Sequence, residues 1–180
     1  MQETNSTAAW SSQLSSCHLP RWEELPDIEL YMDQVISQLD KYLAPFRALG
    51  EEHIVTASMI NNYVKLRLLP APVKKRYART HLAYLVVVCL LKQVLSIPEV
   101  KQLVSDSLGN RSDEELPAAY DAFCTAQEAA FAQMMERAAT PPDDASLAGA
   151  GLAMEMAAFA GAAKAVAQRL IADAPDAARH

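Results

Sequence analysis

At 180 residues, 51% hydrophobic and 21% charged, the chain is long enough to bury a core without disulfide or metal staples, and its Ala-rich, aromatic-poor balance leans helical. Cys17, Cys89 and Cys124 are widely spaced and odd in number, which argues against a disulfide framework and for reduced thiols in the cytoplasm. The polar start lacks a secretory pattern, and the most apolar stretch, Leu82–Leu95, falls short of the roughly 20 residues a bilayer span needs, so no membrane partner is expected.

Residues 1–18 read as a flexible polar arm. The run Leu19–Pro26 leads to Asp27, a candidate N-cap, and from there Ile28, Met32, Val35, Leu39 and Tyr42 recur at helical spacing and predict an amphipathic helix over 28–44. Past a loop around Gly50, Thr56 or Ser58 can cap a helix over 57–68 with Ile60, Tyr63, Val64 and Leu68 on one side, stopped by Pro70 and Pro72. The basic connector Val73–Arg79 has room for at most a vestigial two-stranded wing. Thr80 then caps a helix over 80–95 that is apolar nearly all round and therefore belongs at the centre of the domain.

Ser96-Ile-Pro-Glu99 has the form of a capping box and opens a short helix over 97–107, with Gly109 just past its end. Ser112-Asp-Glu-Glu115 repeats the device ahead of a helix over 114–139, which turns Leu116, Tyr120, Phe123, Phe131 and Met134 inward and holds Pro117 in its first turn. Thr140–Asp144 is a clear break. The last helix, over 146–172, carries Leu152, Met156, Phe159, Ala163, Val166 and Leu170 on a seven-residue repeat, to pack against 114–139 or form the seam of a homodimer.

The net charge of −6 is sorted along the chain. Residues 1–53 hold nine acids and three bases, residues 99–180 hold thirteen acids and six bases, and residues 54–98 hold seven bases and no acid. Such a block is the footprint of a surface that meets phosphate, or of a solvated face paired with acids from its flanks. Catalysis has no comparable signal. The four histidines are scattered, no Gly-rich phosphate loop, nucleophile elbow or Cys-x-x-Cys is present, and the acid clusters fall at helix starts, where the macrodipole favours them. The sequence therefore reads as a non-enzyme with no cofactor and no metal.

The informative constellation is Thr56–Pro72. Asn61 and Asn62 are poor helix formers inside a stretch whose apolar pattern says helix. Asn amides can read a base edge, Lys and Arg can bind phosphate or guanine, and Ser and Tyr hydroxyls can anchor phosphates. The alternative is that the Asn pair caps or bridges to a neighbouring loop.

Across Leu19–Val104, the phrases LPRWEELPDIELYMDQV, TASMINNYVK, LLPAPVKKRYAR and HLAYLVVVCLLKQVLSI closely resemble the bacterial family catalogued as domain of unknown function 1836, which brings no established activity with it. A more distant resemblance is to MerR-like winged helix-turn-helix regulators. There a recognition helix ends in Tyr, a basic residue, Leu-Leu and Pro, and a basic wing, an apolar helix and a short helix follow. That resemblance places Tyr63 where the pattern has a phosphate-contacting Tyr and Asn61 where it has a DNA-contacting Arg. Asn62 replaces an aromatic. Arg67 stands at a helix-ending Gly, which implies a left-handed non-Gly residue or a different helix end.

The expected protein is all-α, with a MerR-like module and vestigial wing at 19–108, a C-terminal helical hairpin for association at 112–173, and a tail at 174–180. Its expected function is cytoplasmic transcription regulation on double-stranded DNA through Ser58, Asn61, Asn62, Tyr63, Lys65, Arg67, Lys74, Lys75, Arg76 and Arg79. The competing expectation is a protein-interaction module that keeps the shape and does not bind DNA. No effector ligand can be read from the sequence.

Overall fold

The computed structural model describes residues 17–46, 53–139 and 150–174. The arm up to residue 16, the loop around Gly50, the break Thr140–Asp144 and the tail from residue 175 lie outside them. Among the described residues the fold is all-α, with six helices: α1 (Met32–Tyr42), α2 (Ala57–Lys65), α3 (Arg79–Leu91), α4 (Ile97–Val104), α5 (Leu116–Ala139) and α6 (Ala150–Asp173). Short 3-10 turns at Trp22–Glu24 and Ala44–Phe46 flank α1, and a π turn at Ser105–Gly109 continues α4.

Hydrophobicity on every side makes α3 the central element, and all ten residues from His81 to Leu90 are buried. Helices α1, α4 and α5 pack around it. Each buried Leu or Val side chain of this kind contributes about 1.5–3 kcal/mol relative to exposure, and α3 holds more buried residues than any other helix. Cys89 lies within it and behaves as a small hydrophobe; burial pushes its thiol up to about 12.

The basic connector after α2 forms no strand. Two isolated antiparallel bridges form, Val73 with Arg76 and Leu30 with Tyr77, and both bonds of the second pair are 2.9 Å long. That pairing corrects the start of α1. Leu30 is held extended, so the helix cannot begin at Ile28 behind an Asp27 cap. It begins at Met32, where the Tyr31 N–H donates to Gln34 Oε1 at 2.9 Å. Ile28 is 64% exposed and is not part of the core.

Other helix starts follow local capping chemistry. Thr56 Oγ1 accepts from Met59 N–H at 3.3 Å. Thr80 does not cap α3. Ala78 occupies that position, and its N–H donates to Nδ1 of the buried His81 at 2.9 Å. Glu99 accepts from both the N–H and the hydroxyl of Ser96 at 2.7 Å, and Glu115 accepts from the same two groups of Ser112 at 3.0 and 3.1 Å. These bonds hold both carboxyls below the usual carboxylate range.

The first half of α5 closes the core over the N-terminal segment. The buried Tyr120 hydroxyl donates to the Pro20 carbonyl at 2.8 Å, and the Trp22 ring meets Tyr120 edge-on. Glu128 accepts from the Leu19 N–H at 2.6 Å and from two guanidinium nitrogens of Arg21 at 2.9 and 2.5 Å. Further along, Met135 is buried and Met134 is 40% exposed, one position off the expected inward stripe.

The last helix departs most from expectation. Its predicted stripe is not the buried one: Phe159 is 43%, Val166 59% and Leu170 67% exposed, whereas Ile171 is buried. The reason lies in where α6 is held. Arg137 pairs with Glu155 and lies over the Phe159 ring near one end; Gln168 donates to Glu99 at 2.7 Å and Gln102 to the Ile171 carbonyl at 2.9 Å near the other. Docking on α4 through Ile171 rotates the heptad stripe toward solvent.

Candidate functional site

Helix α2 divides sharply by face. Ile60 and Tyr63 are buried, and Ser58, Asn61, Asn62 and Lys65, at spacings of three, four and seven from Ser58, are all exposed along one stripe. Asn61 and Asn62 make no hydrogen bond with another described residue through their side chains, so neither serves as a structural cap or bridge.

The helix ends in a Schellman arrangement. Arg67 N–H donates to the Val64 carbonyl at 3.0 Å and Leu68 N–H to the Tyr63 carbonyl at 2.9 Å, with Leu68 and Tyr63 both buried. The left-handed position falls on Arg67, at φ 58°. A residue with a side chain stands where glycine is favoured, and that choice puts a guanidinium at the end of the exposed stripe.

The hairpin repeats the pattern. Lys74 and Lys75 both have positive φ, 49° and 62°, and Arg76 N–H donates to the Val73 carbonyl at 2.9 Å. Two positive-φ residues between bridge partners make a type I′ turn, which Asn-Gly favours and Lys-Lys does not. All three non-glycine residues with positive φ among the described residues are therefore cations of the basic block. Strain of this sort collects at functional positions.

The remaining candidates are placed differently. Tyr63 is only 3% exposed; its ring packs inward, and burial pushes its hydroxyl above the ordinary tyrosine range, which leaves little surface for a phosphate. Arg76 lies over the exposed Tyr31 ring, 4.9 Å from its centroid, and 4.0 Å from Glu29. Arg79 leaves the expected strip: it pairs with Glu23 at 3.0 Å and lies over the Trp22 ring. Lys65, Arg67, Lys74 and Lys75 remain exposed without an ion pair among the described residues.

Sequence reasoning missed the aromatic platforms Tyr31 and Trp22. Tyr31 was hidden, because helical spacing over 28–44 sets it three residues after Ile28 and four before Val35, beside the apolar stripe; it is exposed because the backbone there is extended and the helix begins only at Met32. The pairing of Arg79 with Glu23 spans 56 residues and left no local signal.

Residues 20–123, more than half of the chain, match the family described as Domain of unknown function (DUF1836), and the chain belongs to that family. The match ends inside α5, beyond the Tyr120 contact that ties this helix to the N-terminal segment. No curated protein and no solved structure matches the chain. None of the helices in the described residues is long and apolar enough to cross a membrane.

Proposed function

We propose that this protein is a non-catalytic, cytoplasmic, bacterial transcription regulator of the MerR-like helix-turn-helix type that binds double-stranded DNA. The observation that carries the reading is the exposed stripe Ser58, Asn61, Asn62 and Lys65, which ends at Arg67 and has no side-chain hydrogen bond or ion pair among the described residues. Its residue types suit a helix lying in a major groove, with Asn61 and Asn62 against base edges and Lys65 and Arg67 at phosphate. Lys74 and Lys75, at the tip of the hairpin, act as the wing and take phosphate contacts.

All of the acidic residues lie outside residues 54–98 and are repelled by DNA, so the surfaces richest in them face away from it. The exposed Phe159, Val166 and Leu170 then have a use as the seam of a homodimer, which would present two α2 helices to two half-sites. The pairing of Arg76 and Arg79 with acids supports a second reading, a protein-interaction module of the same shape. Substitution separates the two. On duplex DNA, Asn61→Ala should lower affinity chiefly for the preferred sequence, by about 1–3 kcal/mol, and an interaction module would bind no duplex at low salt.

A further inference from the structure

Between the end of α2 and the π turn after α4 lies a cavity of about 540 Å³, within the range of about 300–1,000 Å³ that accommodates small organic ligands. Its lining combines two chemistries. Leu68, Val104 and Tyr84 are among its lining residues, and so are Lys65 and Arg67, two exposed cations that have no ion pair among the described residues. Ser105, at the start of the π turn, adds a hydroxyl, and π turns concentrate at functional sites. The left-handed Arg67 is the telling residue. Glycine would end the helix with less strain, yet the chain keeps an arginine among the residues that line the cavity.

We infer that this cavity binds a small organic carboxylate with an apolar body, the carboxylate between Lys65 and Arg67 and the body against Leu68, Val104 and Tyr84. Binding does not depend on the DNA reading, but its consequence does. Lys65 and Arg67 also belong to the proposed DNA face, so an occupied cavity neutralises two of its cations and the ligand acts as an antagonist of DNA binding.

The test uses the full chain, 4-phenylbutyrate as probe and 4-phenylbutanol as its uncharged counterpart, followed by amide chemical shifts. The expected result is saturable shifts at Leu68, Ser105 and Gly109 with the acid, weaker binding of the alcohol, and a loss of about tenfold in acid affinity in both Lys65→Gln and Arg67→Gly. Arg67→Gly relieves the left-handed strain and should melt higher while binding the acid more weakly, so misfolding cannot account for the loss. The inference is overturned if the acid fails to shift these amides at millimolar concentration, if the alcohol binds as tightly, or if both variants bind like the parent.

A fluorescent duplex then separates this inference from the DNA reading. Displacement of the duplex by 4-phenylbutyrate supports both. A protein that takes the probe at these amides and no duplex at low salt supports the cavity site and sinks the DNA reading; one that takes the duplex and shows no probe shifts does the reverse.

Discussion

The backbone N–H of Leu68 reaches back to the carbonyl of Tyr63 at 2.9 Å, and this bond forces the intervening turn through a left-handed Arg67. The buried pair Tyr63 and Leu68 anchors the turn from inside, while Arg67 stays on the surface. One helix end thus joins the core to the charged face.

Arg67→Gly should raise stability by about 1 kcal/mol, because an L side chain in the left-handed region costs about 1–2 kcal/mol and glycine gives part of that back as chain entropy. A higher urea midpoint with an unchanged slope is the expected readout. A lower midpoint would mean that the guanidinium makes contacts worth more than the strain.

The hairpin allows the same separation of stability from binding. Lys74→Asn with Lys75→Gly supplies the sequence a type I′ turn favours, so the double variant should be at least as stable as the parent. If both lysines contact phosphate, its DNA affinity should fall for all sequences and the slope of log K against log salt should flatten by about 2. Unchanged binding would remove the wing from the interface.

Glu128 ties Leu19 and Arg21 to α5, and the hydrogen bonds from Arg21, chiefly, hold its carboxyl below the ordinary value of 4.5. A depressed folded value means that the contribution is fully present above the unfolded value and is lost as pH falls through the folded one. Glu128→Gln should therefore cost about 1–3 kcal/mol near neutrality and little in acid. Urea midpoints in the two ranges check the sign; an equal loss in both would assign the effect to packing.

The exposed stripe of α6 makes the dimer testable by substitution. Val166→Glu with Leu170→Glu should convert a dimer to a monomer without loss of helical circular dichroism, since both residues are exposed within one chain. Light scattering decides it. A parent protein that is monomeric at high concentration would contradict the dimer and leave the fold untouched.

What the sequence discloses follows the range of the forces involved. The all-round apolarity of Leu82–Leu90 identified the central helix, and the Ser-x-x-Glu boxes marked two helix starts, because these are local signals. The start of α1 was hidden, since it depends on Leu30 pairing with Tyr77 across 47 positions. The buried side of α6 was hidden for a similar reason: Ile171 and Leu170 are equally apolar, and only docking against α4 chooses between them. The polar stripe of α2 was legible from spacing alone. For its last cation the sequence left two outcomes open, a left-handed Arg67 or a different helix end, and the backbone takes the first.

The most direct test of the central claim is a titration of the full chain against a random-sequence DNA duplex over a range of salt concentrations. Four exposed cations, Lys65, Arg67, Lys74 and Lys75, lead the account to predict binding that weakens steeply as salt rises, with a slope of log K against log salt of about −3 to −4 per protomer. No binding at low salt, or binding indifferent to salt, would contradict it.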